Sequence, residues 1–285
     1  MKNCKNVQSY YFGDNSLDKL KELLEYKRVD SKSKVFFLID DFFKTQNIEE
    51  RLPINLTNDT VIYCSSKEEP HSEYINELTD RLKVISSVKL PVAVVGIGGG
   101  TVMDISKCIS ILLTNPGKVE NYQGWDLVMN PAVYKIGIPT ISGTGAEATR
   151  TAVLTSKVKK LGINSDYSVF DQIICDPQFL SSVPNDKFMY TAMDCYVHCV
   201  ESLRGNTNDA MTIALAQKSL SLLDEIFTGE MEFDKLMTAS IFGGSAVANS
   251  NVGICHPLSY GLSLVLGLHH GYSICIAFNQ LKEYY

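Results

Sequence analysis

The sequence carries no surplus of positive charge. Its 285 residues hold 26 lysines and arginines against 32 aspartates and glutamates, a formal net charge of −6. The basic face of a general nucleic-acid binder is therefore missing, and no nucleic-acid partner is expected. A long apolar run is also lacking: nothing approaches the ~20 apolar residues that span a bilayer. The most apolar late stretch, residues 258–268, is broken by Ser259, Gly261 and Ser263. No membrane partner is expected. Residues 1–13 contain no apolar segment, which reads as no signal peptide. The eight cysteines (Cys4, Cys64, Cys108, Cys175, Cys195, Cys199, Cys255 and Cys275) include no C-x2-C pair. They are expected as reduced thiols of a cytoplasmic protein. Internal repeats and low-complexity tracts are absent too. What remains is ordinary globular composition, 45% hydrophobic and 20% charged, enough for one large or two ordinary domains.

The first half alternates two kinds of segment. Residues 34–40, 61–64, 91–97, 134–138 and 169–175 read as strands, and 73–85 and 102–113 as helices. Such alternation predicts a parallel sheet with helices on its faces. The character changes near Pro184. Residues 188–203, 209–227, 233–248 and 274–285 then read as helices, the last still running where the sequence ends, as in a fragment. The expectation is an α/β dinucleotide-binding domain over residues 1–183. A helical metal-binding domain, incomplete at its C-terminus, follows over 184–285.

Gly98-Gly99-Gly100-Thr101 follows a strand and opens a helix. Backbone N–H groups at a helix N-terminus attract anions, and glycine lets the backbone approach them. A pyrophosphate cradle and a bare tight turn both satisfy this pattern. A second turn, from Pro139 through Ser142-Gly143-Thr144-Gly145 to Glu147, strengthens the case for a phosphate-bearing ligand. Asp40 ends the first strong strand, where an acid can bond ribose hydroxyls or simply cap the next helix.

Four of the five histidines, His198, His256, His269 and His270, fall in the helical half, and His71 reads as a surface residue. Asp194 and His198 are four apart, which puts them on one helix face. With His256 and His270 they make a set suited to Fe(II) or Zn(II), with a position left open for substrate. Cys195, Cys199 and Cys255 form a rival thiolate set, without the spacing of a structural site. The alternative for each histidine is a satisfied core residue.

Taken together, these motifs resemble the iron-containing (group III) alcohol dehydrogenase family. The residues that carry the resemblance are Gly98 to Asp104 with Lys107, Pro139 to Glu147, Asp176-Pro177, Met193 to His198 with Glu201, and His256 through Gly271. Within the family, residues 122–126, 137–148, 164–173 and 193–202 look most like the branch of 3-deoxy-D-manno-octulosonate (Kdo) 8-oxidases. The resemblance implies a Rossmann-like α/β N-terminal domain followed by an all-helical domain, a dehydroquinate synthase-like architecture. It implies metal ligands at Asp194, His198, His256 and His270. It further implies NAD held by Asp40, Gly98, Gly99, Gly100, Thr101, Asp104, Thr140, Thr144 and Lys160, and a homo-oligomer. The implied activity is oxidation of a primary alcohol, C8 of the sugar acid in the Kdo branch. A general alcohol dehydrogenase and an inactive truncated paralogue are the alternatives. The family often has a further histidine four residues after its third ligand. Here Tyr260 stands there, so proton transfer falls to Tyr260, His269 or water. Lys107 and Arg150 are the candidate cationic contacts for a sugar acid, or else surface charges.

Overall fold

The computed structural model describes residues 5–67, 69–86, 89–156, 159–205, 209–250 and 252–285. Contacts divide the chain into two compact units. One is Val7–Thr140 with Arg150–Asp176, and the other draws on Ile141–Thr149 and Pro177–Tyr285.

The first unit is α/β. In chain order it contains β1 (Ser9–Phe12), α1 (Lys19–Lys27), β2 (Val35–Asp40), β3 (Thr60–Cys64), α2 (Ser72–Ser86), β4 (Ala93–Gly98), α3 (Gly100–Leu112), β5 (Gly124–Trp125), β6 (Lys135–Pro139), β7 (Thr151–Thr155), β8 (Lys160–Asn164) and β9 (Gln172–Cys175). Six strands form one sheet in the order β1-β9-β6-β4-β2-β3, every pairing parallel. β2 and β4 are neighbouring interior strands and are buried at every residue. That is why both read as unbroken apolar runs rather than as alternating patterns. From β2 the chain moves outward to β3. From β4 it moves the other way, to β6 and β9. The order thus reverses between β2 and β4, and in open parallel sheets ligands bind outside the carboxyl ends of strands at such a switch point.

A second sheet, β5-β8-β7, has no clear signal in the sequence. Its β7–β8 hairpin is tied to α3: Asp104 Oδ2 accepts from Val153 N–H at 2.9 Å, and Lys107 Nζ donates to the Thr151 carbonyl at 2.7 Å. α3 in turn lies close on β4. A Cβ at Gly96 would stand 2.3 Å from Ser106 Oγ, and one at Gly98 would stand 2.7 Å from Val102 Cβ. Both glycines are therefore required by helix–strand packing, whatever else the turn does.

The second unit contains α4 (Asn185–Arg204), α5 (Ala210–Thr228), α6 (Phe233–Ala248), α7 (Cys255–Leu266) and α8 (His270–Leu281). The final helix does not run to the last residue. It stops at Leu281, and Tyr284 N–H closes a turn onto the Leu281 carbonyl. The segment Ile141–Thr149 belongs to this unit. Ser240 Oγ on α6 accepts from Gly143 N–H at 2.8 Å and from Gly145 N–H at 3.2 Å, and donates to Glu147. Gly143 has φ +134°, and a Cβ there would meet the Thr191 carbonyl oxygen at 2.1 Å. Among the described residues no helix is long and apolar enough to cross a membrane.

Candidate metal centre and nucleotide site

α4 places Asp194 and His198 one turn apart, both buried. His256 stands in the first turn of α7, and His270 opens α8. Asp194, His256 and His270 each bring one ligand atom within 4.8 Å of the others. Asp194 Oδ1 lies 3.5 Å from His256 Nε2 and 3.6 Å from His270 Nε2. His198 is outside that group of three, but its ring stacks on His256 with centroids 4.3 Å apart. Both Asp194 oxygens, His198 Nδ1 and His256 Nε2 are buried and make no hydrogen bond. Buried polar atoms of this kind are costly unless something completes them. Imidazole and carboxylate donors in such a cluster fit a divalent first-row ion.

The electrostatics suit ligation directly at Asp194 and His198. Burial alone would push the Asp194 carboxyl up, yet His198, His270 and His256 hold it well below the usual carboxylate range. Burial pushes the His198 imidazole down to about 4, which keeps it neutral and able to donate a lone pair. For His256 burial is outweighed by the charges of Asp194 and Glu201 and by the Glu201 hydrogen bond, which raise it to about 9, so without an ion the ring carries a second proton that a bound cation would displace. Glu201 has a part here that no spacing in the sequence assigns, although it sits three residues after His198 on α4. Its Oε2 accepts a close hydrogen bond from His256 Nδ1–H. The Tyr260 ring lies 6.3 Å from that of His256 and 5.6 Å from that of His270. His269 is the exposed N-cap of α8.

The rival thiolate set does not form. The Cys195 thiol donates to the Ala239 carbonyl at 3.3 Å, while Cys255 N–H donates to Glu201. The described cysteines are all free, and none joins a metal-like cluster among the described residues.

In the α/β unit, Asp40 and the Gly98–Thr101 turn stand at the carboxyl ends of β2 and β4, at the switch point. Thr140, after β6, donates its N–H to the Gly98 carbonyl at 3.0 Å. Gly99 is the N-cap of α3 and makes no side-chain cap bond. A helix N-terminus opening from glycines at this place fits a pyrophosphate. Asp40 Oδ1 accepts from Phe42 N–H and Ser66 Oγ, both at 3.0 Å, so it also caps the following turn. Asp104 is buried, 3.9 Å from Lys107 Nζ. Lys160 pairs with Glu69. Thr144 belongs to the helical unit, where its Oγ1 accepts from Ala146 N–H at 3.3 Å.

Lys107 is not a surface charge, and both Lys107 and Arg150 already hold partners. Lys107 is fully buried against Thr151 and Asp104, and Arg150 pairs with Asp126 and with Asp166.

Residues 8–177 match the family model described as iron-containing alcohol dehydrogenase. Residues 188–285 match that of the Fe-containing alcohol dehydrogenase family, C-terminal. The chain is 30% identical over 261 residues to sulfoacetaldehyde reductase of Bilophila wadsworthia, covering 87% of this chain and 66% of that protein. It is 28% identical over 266 residues to the NAD-dependent methanol dehydrogenase of Bacillus methanolicus, covering 89% of this chain and 68% of that one. The fold is that of the alcohol dehydrogenase from Oenococcus oeni, with a TM-score of 0.84 at 20% identity over 96% of this chain and 73% of the other. This chain thus spans about two thirds of the length of the curated relatives it matches. With both family models matched in succession over a switch-point sheet and a helical unit bearing a buried Asp/His cluster, the chain belongs to the iron-containing alcohol dehydrogenase family.

Proposed function

We propose that this chain is a metal- and NAD-dependent oxidoreductase that interconverts a primary alcohol and its aldehyde. The observation that carries the reading is Asp194, buried with both oxygens unpartnered and facing the Nε2 atoms of His256 and His270. On this reading Asp194, His198, His256 and His270 hold a divalent ion, Fe2+ or Zn2+. Asp40, Gly98, Gly99, Gly100, Thr101, Asp104, Thr140, Thr144 and Lys160 hold NAD. Bound there, the ion supplies Lewis acidity that lowers the pKa of an alcohol, and the nicotinamide supplies the hydride acceptor.

The chain's own groups do the rest. Asp194 stays ionised and His198 stays neutral at physiological pH, so both are in the protonation state a ligand needs. On this reading the Tyr260 hydroxyl, on a ring beside those of His256 and His270, passes the alcohol proton outward. His269, exposed at the start of α8, can exchange it with solvent. Asp40 at the end of β2 favours a ribose 2′-hydroxyl over a 2′-phosphate.

The two curated relatives are named for a sulfonated aldehyde and for methanol, which favours a small alcohol or aldehyde substrate. Oxidation of Kdo at C8 is the second reading and rests on the sequence stretches at residues 122–126, 137–148, 164–173 and 193–202. A cytoplasmic homo-oligomer completes the proposal.

The test is metal content per chain, then NADH formation with methanol, longer primary alcohols and Kdo. Reduction of sulfoacetaldehyde is followed in reverse, and an Asp194→Ala control runs beside each assay. About one ion per chain and turnover in the parent, both lost in the variant, are expected. A parent that holds no ion would overturn the reading.

A further inference from the structure

Glu201 is buried, with a relative exposure of 1%. An acid so placed needs donors on both oxygens, and it has them. Oε2 pairs with His256 Nδ1. Oε1 accepts from Cys255 N–H at 2.7 Å and from the Tyr285 hydroxyl at 2.8 Å. The same tyrosine oxygen accepts from Ile254 N–H at 2.9 Å. Glu201 and Tyr285 thus cap the first amides of α7, which carry no side-chain cap of their own. Space for this cluster is kept by Gly253, where a Cβ would fall 2.5 Å from Tyr285 Oη and 2.7 Å from Glu201 Oε1.

The chemistry of the His256 contact is directional. An ionised carboxylate only accepts, so the ring proton resides on Nδ1. Once a cation displaces the other ring proton, the lone pair is on Nε2, the atom that faces Asp194 at 3.5 Å. We infer that Glu201, supported by Tyr285, is the positioning residue of the metal centre: it fixes the tautomer and ring orientation of His256 and strengthens its Nε2 as a donor. The inference rests on the metal reading proposed for Asp194 and the histidines. Carboxylates behind ligating histidines act in this way, and losing one typically costs 10–100-fold in metal affinity.

The experiment is Co2+ titration of the full chain, read by affinity and by the visible Co2+ absorption spectrum. Parent, Glu201→Ala, Glu201→Gln and Tyr285→Phe are compared, with metal-free thermal melts alongside. Glu201→Ala is expected to weaken Co2+ binding by about 10–100-fold and to change the spectrum. Glu201→Gln is expected to weaken it as well. Its amide can accept from Nδ1–H only by turning its NH2 toward the Cys255 and Tyr285 donors. Tyr285→Phe is expected to lose less, since the Oε2–His256 contact survives. Should the alanine variant fail to fold, the glutamine and phenylalanine variants decide.

A folded Glu201→Gln chain with the parent's affinity and spectrum would overturn the inference, even if its metal-free melt were lowered. That pattern is a helix cap and nothing more. A parent that binds no Co2+ would instead fail the metal reading itself, and the inference with it.

Discussion

Asp104 sits on α3 with only 9% of its surface exposed. Burial raises its carboxyl to about 6, although Lys107 and the Val153 N–H pull the other way. In the unfolded chain the group releases its proton near 3.8, the ordinary value for an aspartate. The folded chain therefore binds the extra proton between those two values, and stability falls as pH rises through that window. A difference of that size corresponds to a loss on the order of 3 kcal/mol, complete above about pH 6. Asp104→Asn keeps an acceptor for Val153 N–H and removes the charge. Urea unfolding of the metal-free chain should show the variant gaining on the parent at pH 7.5 and not at pH 3.5. An equal difference at both pH values would show that the buried charge is not the cause.

Other single residues differ in how visible they are in the sequence. Asp194 and His198 are legible because a spacing of four on a helix is a local fact. The partner of Glu201 is not, because His256 is 55 positions away and only the tertiary fold of the helical unit brings it near. Lys107 is misread from sequence for the same reason: its acceptor, the Thr151 carbonyl, belongs to a distant hairpin.

Between elements, the decisive contact for the nucleotide turn is β4 against α3. The missing side chain at Gly96 lets Ser106 lie on the strand, and a methyl group there would overlap Ser106 Oγ at 2.3 Å and Cβ at 2.9 Å. Gly96→Ala should cost about 1–3 kcal/mol through overpacking. Ser106→Gly added to it should return part of that loss, a non-additivity expected of touching residues. NAD affinity should follow stability in both, because lifting α3 moves the Gly98–Thr101 turn that its first residues form. Denaturant melts and NAD titrations of the single and double variants check this, and strictly additive losses would mean that the helix–strand contact is not what fails.

The interior strands β2 and β4 and helices α2 to α6 can be seen in the sequence, since burial on every side or a sustained helical period marks them. The β7–β8 hairpin cannot: its pairing is local, but Gly162 and the lysines at 159 and 160 mask its alternation. α7 hides for a different reason. Its buried positions include Ser259 and Ser263, while Leu258, Leu264, Val265 and Leu266 are exposed, so its polarity runs against the usual amphipathic pattern. The buried serines are satisfied: Ser259 Oγ donates to the His256 carbonyl at 2.8 Å, and Ser263 Oγ donates across to Ser273 Oγ on α8 at 3.1 Å.

At the scale of the whole molecule, the two proposed ligands divide between the two units. All four metal candidates lie within Pro177–Tyr285. The nucleotide candidates lie within Val7–Thr140 and Arg150–Asp176, Thr144 excepted. A ligand that binds only the folded form of a unit stabilises that unit, by about 2.7 kcal/mol at a hundred times its Kd. Amides that exchange through opening of that unit then slow by up to about a hundredfold. Co2+ alone should thus slow hydrogen exchange in α4, α7 and α8, and NAD+ alone in β2, β4 and α3. Asp194→Ala should abolish the first effect and leave the second. If Co2+ protected the strands as strongly as the helices, or if the Asp194 variant lost both responses, the assignment of one ligand to each unit would fail. The division would then reflect chain contacts alone, without separate binding sites.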